Sequence, residues 1–370
     1  MGDNCFSAIY TNYENDKKTI AIFDPFVYNV LIVVLAITYD QWRAQAFPER
    51  RHFIMYTANS IRNICLLGHS GSGKSALAES LLYMTGAIDR IGKNADGNTV
   101  CDYDPEEIKR NISISTAVVP LIYKGIKINL LDTPGGFDFS GAVVEALRAA
   151  DAAILVISAK DGITVGFEKA WKYCEDRNMP RFVYISKVDE DNSDYNATFN
   201  ALREKYGNKI APVVVPIWDG NRKVTGIIDV LNKRAYEMQN LKRVEIEVPA
   251  GKEDVITEFN DALKESVAET SDEFMDKFFG GEDFTYAEMI KGMHTGVIEQ
   301  TLYPVLCGSG VNCLGSLMLM DLIIDLLPNP IEGNYHKATL ADGTTEEFVV
   351  SPGVVPSAFV WKTVSDQFGK

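Results

Sequence analysis

Nowhere in these 370 residues do two cysteines stand at C-x-x-C spacing. The six present (Cys5, Cys65, Cys101, Cys174, Cys307, Cys313) are scattered, with no histidine at ligand spacing, so neither a zinc cluster nor a disulfide framework is expected. Several lie in apolar runs such as NICLLG, where a thiol behaves as a small core residue. That usage fits a reduced, cytoplasmic compartment. Histidine is equally sparse, and His52, His294 and His336 have no neighbours that suggest chemistry. An excess of positive charge is missing as well. The net charge is −15, which disfavours nonspecific attraction to nucleic acid phosphates, and DNA is not an expected partner. There is no internal repeat, no low-complexity tract and no support for G-x-G-type dinucleotide binding.

A run long enough for a comfortable membrane span is also absent. FVYNVLIVVLAITY (26–39) falls short, so no stable membrane association is expected. With Lys17 and Lys18 before it and Ala44-Gln45-Ala46 after it, the segment loosely resembles a secretory signal. The sequence that follows calls for cytosolic supplies, so Met55 is taken as the biological start. Residues 1–54 are then an extension of uncertain status.

What is present is an ordinary globular composition, 46% hydrophobic and 24% charged, in a chain long enough for two or three domains. From Ser60 onward, apolar runs bounded by turn residues alternate with helical patterns, the signature of βαβ units and a mostly parallel sheet with helices on both faces. The patterns predict strands at 61–68, 152–158, 181–186 and 302–307, and a β-hairpin from 113–123 and 126–132. Helices are predicted at 74–86, 142–151, 166–177 and 314–327. Between them 213–238 reads as β structure and 254–279 as one acidic helix. From Val244 to Ile290 fourteen Asp and Glu stand against three Lys, a pattern that reads as a solvated helical face. Trp171 and Tyr173, on a helix, read as core or surface residues. Pro328-Asn329-Pro330 marks a boundary.

GHSGSGKS (68–75) fits G-x-x-x-x-G-K-[ST] between a predicted strand and a predicted helix. In such a loop the backbone of His69, Ser70, Gly71, Ser72 and Gly73 approaches phosphates, helped by the positive end of the helix. The His69 side chain reads either as part of that loop's contacts or as packing beside the backbone. Lys74 is placed to reach the β- and γ-phosphates, and the Ser75 hydroxyl to ligate Mg²⁺. Asp132, at a strand end 57 residues after Ser75, is placed to hold that ion through water, and the Gly135 N–H to bond the γ-phosphate. The D-x-x-G spacing is weak alone and gains weight behind a phosphate loop. SKVD (186–189) follows another strand, and a carboxylate there accepts both N1–H and the exocyclic amine of guanine, a pairing that adenine cannot make. Asp189 is the expected specificity residue, with the Lys187 stem over the base. Ser186 is shorter than the asparagine usual at that position in GTPases, which braces the loop and bonds the base edge, and it does only part of that task. CGSG (307–310) offers a second loop toward the guanine oxygen.

Taken in order, GHSGSGK, DGNTVCDYDPEEIKRNISIS, DTPGGFDF, SKVDED, VTGIIDVL, VAETSDEFMDKFF and PVLCGSG resemble a translational GTPase of the elongation factor G family, from about Ser60 to Pro330. GHSGSGK looks more like the paralogous elongation-factor-G-like branch, because the main translocase usually carries an aspartate in that loop. The resemblance implies a phosphate-loop G domain at 55–330 with an inserted α+β subdomain at about 211–301. It also implies a linker and the truncated start of a β-barrel domain at 331–370. It implies GTP and GDP as ligands with Mg²⁺, and for the full-length protein a ribosome as partner and a monomeric state. Segments 87–116 and 132–141 would be the two switches, with Ser113 where the family has a Mg²⁺-binding threonine. Ser309 and Gly310 would stand in for the family's Ser-Ala at the guanine.

One departure bears on activity. Translocating members carry a histidine where this chain has Gly136, and that group positions the attacking water. Phosphoryl transfer depends on placement and electrostatics, so its loss would slow hydrolysis while leaving binding intact. Phe137 is apolar and no substitute, and Asp138 is an aspartate the family also has without using it as the base. The expected catalytic set is therefore Lys74, Gly135 and Gly136. Three readings follow: a ribosome-associated GTPase, a GTP-dependent switch with incidental hydrolysis, and a phosphate-loop kinase. The choice among translocation, recycling and protection of the ribosome stays open.

Overall fold

The computed structural model describes residues 56–219, 223–333, 336–339, 343–348, 350 and 359–363. The expected extension at 1–54, its apolar segment 26–39, Met55 and most of the tail at 357–370 lie outside them. Among the described residues no helix is long and apolar enough to cross a membrane.

Arg62–Pro328 forms one compact unit. Its strands run β1 (Ile61–Leu67), β2 (Ala117–Tyr123), β3 (Ile126–Asp132), β4 (Ala152–Ser158), β5 (Arg181–Ser186), β6 (Ile210–Pro212), β7 (Val214–Trp218), β8 (Val224–Asp229), β9 (Arg234–Gln239), β10 (Lys242–Ile246) and β11 (Tyr303–Cys307). Seven of them make one sheet in the order β2-β3-β1-β4-β5-β11-β6. β1, β4, β5, β11 and β6 pair in parallel, while β2 and β3 form an antiparallel hairpin at the edge. The sequences follow from those positions. Every residue of AAILVIS and RFVYIS is buried, as a strand covered on both faces requires. Edge strand β2 alternates between buried and exposed residues and tolerates Pro120, which has no N–H to give to a ladder. The hairpin strand starts at Ala117 rather than at 113, because Ile114 and Ser115 give their N–H groups to the Glu107 carboxylate instead.

Helices α1 (Lys74–Met84), α2 (Pro105–Arg110), α3 (Ser140–Ala149), α4 (Val165–Glu175) and α5 (Tyr195–Tyr206) belong to the first part of the unit. β7 to β10 form a separate antiparallel sheet in the order β10-β9-β8-β7. Helices α6 (Glu253–Ala268), α7 (Asp272–Phe279) and α8 (Tyr286–Ile298) follow, and α9 (Ser316–Leu326) comes after β11. The single acidic helix expected over 254–279 is two helices. Ser271 adopts extended backbone, accepts from the Phe274 N–H and so starts a new helix where 3.6-residue periodicity alone runs straight through. Three helices, α2, α5 and α8, lie where no element was expected. α5 is announced by the Asp194 cap, and α8 by the Thr285–Glu288 capping box, a pattern legible in TYAE. Asp321 of α9 ties the two sheets together: it accepts from Tyr123 Oη at 2.8 Å, Lys124 Nζ at 2.6 Å and Arg243 Nη1 at 3.0 Å.

The remaining described residues belong to a second unit. It contains an antiparallel hairpin of β12 (His336–Thr339) and β13 (Thr345–Phe348).

Candidate functional site

β1 lies inside the sheet with β3 on one side and β4 on the other, so the strand order reverses beside it. Loops beyond the carboxyl ends of strands at such a place form the customary ligand crevice of open α/β sheets. The 68–73 loop leaves β1 there and enters α1. Gly68 has φ +149°, and a Cβ on it would lie 2.3 Å from the Val156 carbonyl oxygen, so no other residue fits the turn. Lys74 folds back over the loop, its Nζ donating to the Gly68 and His69 carbonyls at 3.1 and 3.0 Å. Burial pushes its ammonium down to about 8, against the opposing pull of Asp132 and Asp102. An anion arriving beside Lys74 would restore its full charge.

Ser75 Oγ donates to Asp132 Oδ2 at 2.6 Å and lies 3.4 Å from Ser113 Oγ. Strand β3 delivers Asp132, the start of α1 delivers Ser75, and the loop after α2 delivers Ser113. Asp132 is 1% exposed, and its Oδ1 has no partner. Burial lifts its carboxyl up to about 6 despite the Lys74 charge and the Ser75 bond. Two neighbours were not foreseen. Asp102 is buried in contact with Ser113, with its own Oδ1 unpartnered, and the Cys101 thiol lies against Asp132. Their segment is held by carboxylates: Glu79 accepts from the N–H groups of Gly92 and Val100, and Glu107 from those of Ile114 and Ser115. The capping signature D-P-E-E at 104–107 was the available signal, since it fixes α2 and through it the path to Ser113.

Gly135 is pressed against the loop: an added Cβ would come within 2.5 Å of Ser70 N and 2.7 Å of Lys74 Nζ. Gly136 is less confined, meeting only the Phe139 ring, at 3.2 Å. Phe137 is half exposed, with its ring 5.9 Å from that of His69. The Lys169 ammonium lies 5.3 Å from the Phe137 ring and 5.7 Å from that of Tyr173. Gly135, Gly136, Phe137, Lys169 and Tyr173 line one pocket, so Tyr173 sits closer to the site than its helical position suggested. The His69 Nδ1 is buried against Gly166 and has no partner.

The other cluster lies at the ends of adjacent strands β5 and β11. Ser186 Oγ donates to the Ser72 carbonyl at 2.6 Å, with the Ile157 carbonyl at 3.2 Å, and thereby straps this edge to the 68–73 loop. The short side chain thus does more bracing than its length suggested. Lys187 sits in left-handed backbone with its Nζ 3.7 Å from Glu190. Ser309 and Gly310 follow β11, and a Cβ on Gly310 would lie 2.6 Å from the Ala76 carbonyl, so this loop lies directly on the first turn of α1. Asp189 accepts a 2.5 Å hydrogen bond from Asn312 Nδ2, a residue that no sequence motif singled out. All the residues put forward for phosphate, metal and base therefore gather around the carboxyl ends of β1, β3, β5 and β11, and no side chain with a polar group occupies position 136.

Residues 59–329 match the family described as elongation factor Tu GTP binding domain. The chain is 33% identical over 309 residues to a Thermotoga maritima protein named elongation factor G-like protein, covering 84% of this chain and 44% of that one. It thus spans less than half the length of that relative. It also resembles the crystal structure of a Thermus thermophilus protein designated ttk003000868, with a TM-score of 0.71 and 39% identity. That likeness covers 74% of this chain and 41% of the other.

Proposed function

We propose that this chain, which belongs to the family carrying the elongation factor Tu GTP-binding domain and within it to the translational GTPases of elongation factor G type, binds GTP with Mg²⁺ and turns it over on the ribosome. The observation that carries the reading is the cluster of Ser75, Asp132 and Lys74 beside the backbone loop, in which a buried carboxylate oxygen of Asp132 has no protein partner. An orphaned, buried acceptor next to two serine hydroxyls matches the all-oxygen environment that a hard divalent cation takes. Ser75 and Ser113 would hold Mg²⁺ directly and Asp132 through water, with Asp102 in contact with Ser113. Bound there, Mg²⁺ would neutralise part of the charge of the phosphates.

The chain's own groups account for the remaining work. The 69–73 backbone and the amino end of α1 receive the phosphates. Lys74 exchanges two loop carbonyls for phosphate oxygens, and the Gly135 N–H meets the terminal phosphate. Asp189 pairs with the guanine edge, Ser309 and Gly310 cover its oxygen, and Ser186 keeps the base loop in register with the phosphate loop. Residues 211–301 are read as the inserted subdomain and 331–370 as the start of a further domain.

Hydrolysis is a separate matter. Gly136 offers no group to orient water, so turnover is expected to be slow unless the ribosome or a backbone group supplies the placement. This same observation favours a second reading, a switch that acts by occupancy and exchange. Single-turnover GTP cleavage with and without ribosomes separates the two, since ribosome-stimulated cleavage supports the first and nucleotide-dependent ribosome binding without cleavage the second. The binding claim itself is tested by titrating GDP and GTP into the Lys74→Ala protein. A loss of about 100-fold or more is expected for a buried charge-assisted contact, and unchanged affinity would falsify the phosphate-site assignment.

A further inference from the structure

We propose that Asn312 is a positioning residue for guanine selectivity: its side-chain amide holds the Asp189 carboxylate in the orientation that reads the base. This rests on Asp189 being the base reader. A carboxylate that pairs with N1–H and the 2-amino group must present both oxygens in the plane of the base. Its terminal torsion is soft, with a broad distribution of angles, so an unrestrained aspartate loses that freedom only on binding.

Asn312 supplies the restraint. Its Nδ2 lies 2.5 Å from Asp189 Oδ2, a charge-assisted bond that leaves both lone pairs of Oδ1 and the second lone pair of Oδ2 for the ligand. The neighbouring cation is engaged elsewhere, for Lys187 Nζ is directed at Glu190. Asn312 is itself fixed from behind. Its N–H donates to Ser309 Oγ at 3.2 Å, and the loop is closed by Ser309 N–H to the Leu314 carbonyl at 3.0 Å. Gly310 presses the same loop onto α1. A chain of contacts therefore runs from the phosphate-loop helix through 308–314 to the tip of the Asp189 side chain. The Ser309 hydroxyl serves the backbone of Asn312 in this arrangement, and Asn312 reaches the carboxylate.

The test uses the full chain and competition of GDP, IDP and XDP against a fluorescent GDP. IDP lacks the 2-amino group, so it depends on one carboxylate bond where GDP depends on two. Asn312→Ala is expected to weaken GDP about tenfold and IDP less, narrowing the GDP-to-IDP ratio. Asn312→Asp, which sets a second carboxylate against Asp189, is expected to weaken GDP further, and Asn312→Gln, which keeps the amide donor one methylene further out, to recover part of the loss. A role limited to folding the loop would move GDP and IDP equally. GDP affinity and the GDP-to-IDP ratio within twofold of wild type in both Asn312→Ala and Asn312→Asp overturn the proposal. Asp189→Asn is the control for the reading beneath it: a switch from GDP toward XDP supports Asp189 as base reader, and retention of GDP preference removes it.

Discussion

Gly135 and Gly136 are adjacent, yet the two positions demand different things. At Gly135 the backbone passes so close to Ser70 and Lys74 that a methyl group collides with main-chain atoms. Gly135→Ala is expected to displace the loop and lower nucleotide affinity by at least 100-fold, about 3 kcal/mol, measured by calorimetry. Gly136 has φ −78° and extended backbone that any residue adopts, and a Cβ there meets only the part-exposed Phe139 ring, which must give by a few tenths of an ångström. Gly136→His is therefore expected to fold with unchanged stability and to raise single-turnover GTP cleavage on ribosomes by tenfold or more. A variant that binds normally and gains nothing removes the water-placement explanation. The two glycines are alike in sequence, and only the neighbouring loop distinguishes them.

Among the elements, those with continuous apolar runs were legible because burial on both faces leaves one composition for a parallel strand. Helices α5, α7 and α8 were less so, since their starts are set by the capping side chains of Asp194, Ser271 and Thr285 rather than by periodicity. Ser271→Ala removes the cap that separates α7 from α6 and is expected to cost about 1 kcal/mol in chemical denaturation. At the entry to β4, Asp151 is buried and accepts from Asn63 Nδ2 at 2.9 Å. Burial lifts its carboxyl up to about 7, offset in part by the Asn63 bond and Arg62. The folded chain then keeps a proton that the unfolded chain has released, between roughly pH 4 and pH 7, so stability falls as pH rises through that window. Denaturation at pH 5 and pH 7.5 should show the decline, at most about 1.4 kcal/mol per pH unit from this group. Asp151→Asn is expected to reduce the slope. A steeper slope in the variant would contradict the assignment.

For the whole molecule, the consequence of a shared site is linkage. A ligand that binds only the folded chain stabilises it by an amount that grows with concentration, about 2.7 kcal/mol at 100 times Kd. GDP with Mg²⁺ is expected to raise the melting temperature by several degrees, and chelation of the metal to remove part of that increment. No shift with GDP at millimolar concentration would contradict a nucleotide site. The coupling between the two sheets has a test at the same scale. Asp321→Ala strips one carboxylate from Tyr123, Lys124 and Arg243, and a loss of about 2 kcal/mol is expected for a half-buried charge with three partners.

The proposed phosphate site was legible in the sequence alone, because a backbone that wraps an anion must be one unbroken stretch, as GHSGSGKS and DTPG each are, and contiguity is what a sequence records. The parallel sheet was determined the same way, by runs whose burial leaves no polar alternative. What the tertiary structure decided are the contacts between separate segments: Asp102 brought to Ser113, Ser186 strapped to Ser72, and Asn312 set against Asp189. The last two pairs are 114 and 123 residues apart, and no local pattern marks them. A hydrogen bond requires an approach of about 3 Å, and for such pairs only the packing of strands and helices between them brings that about.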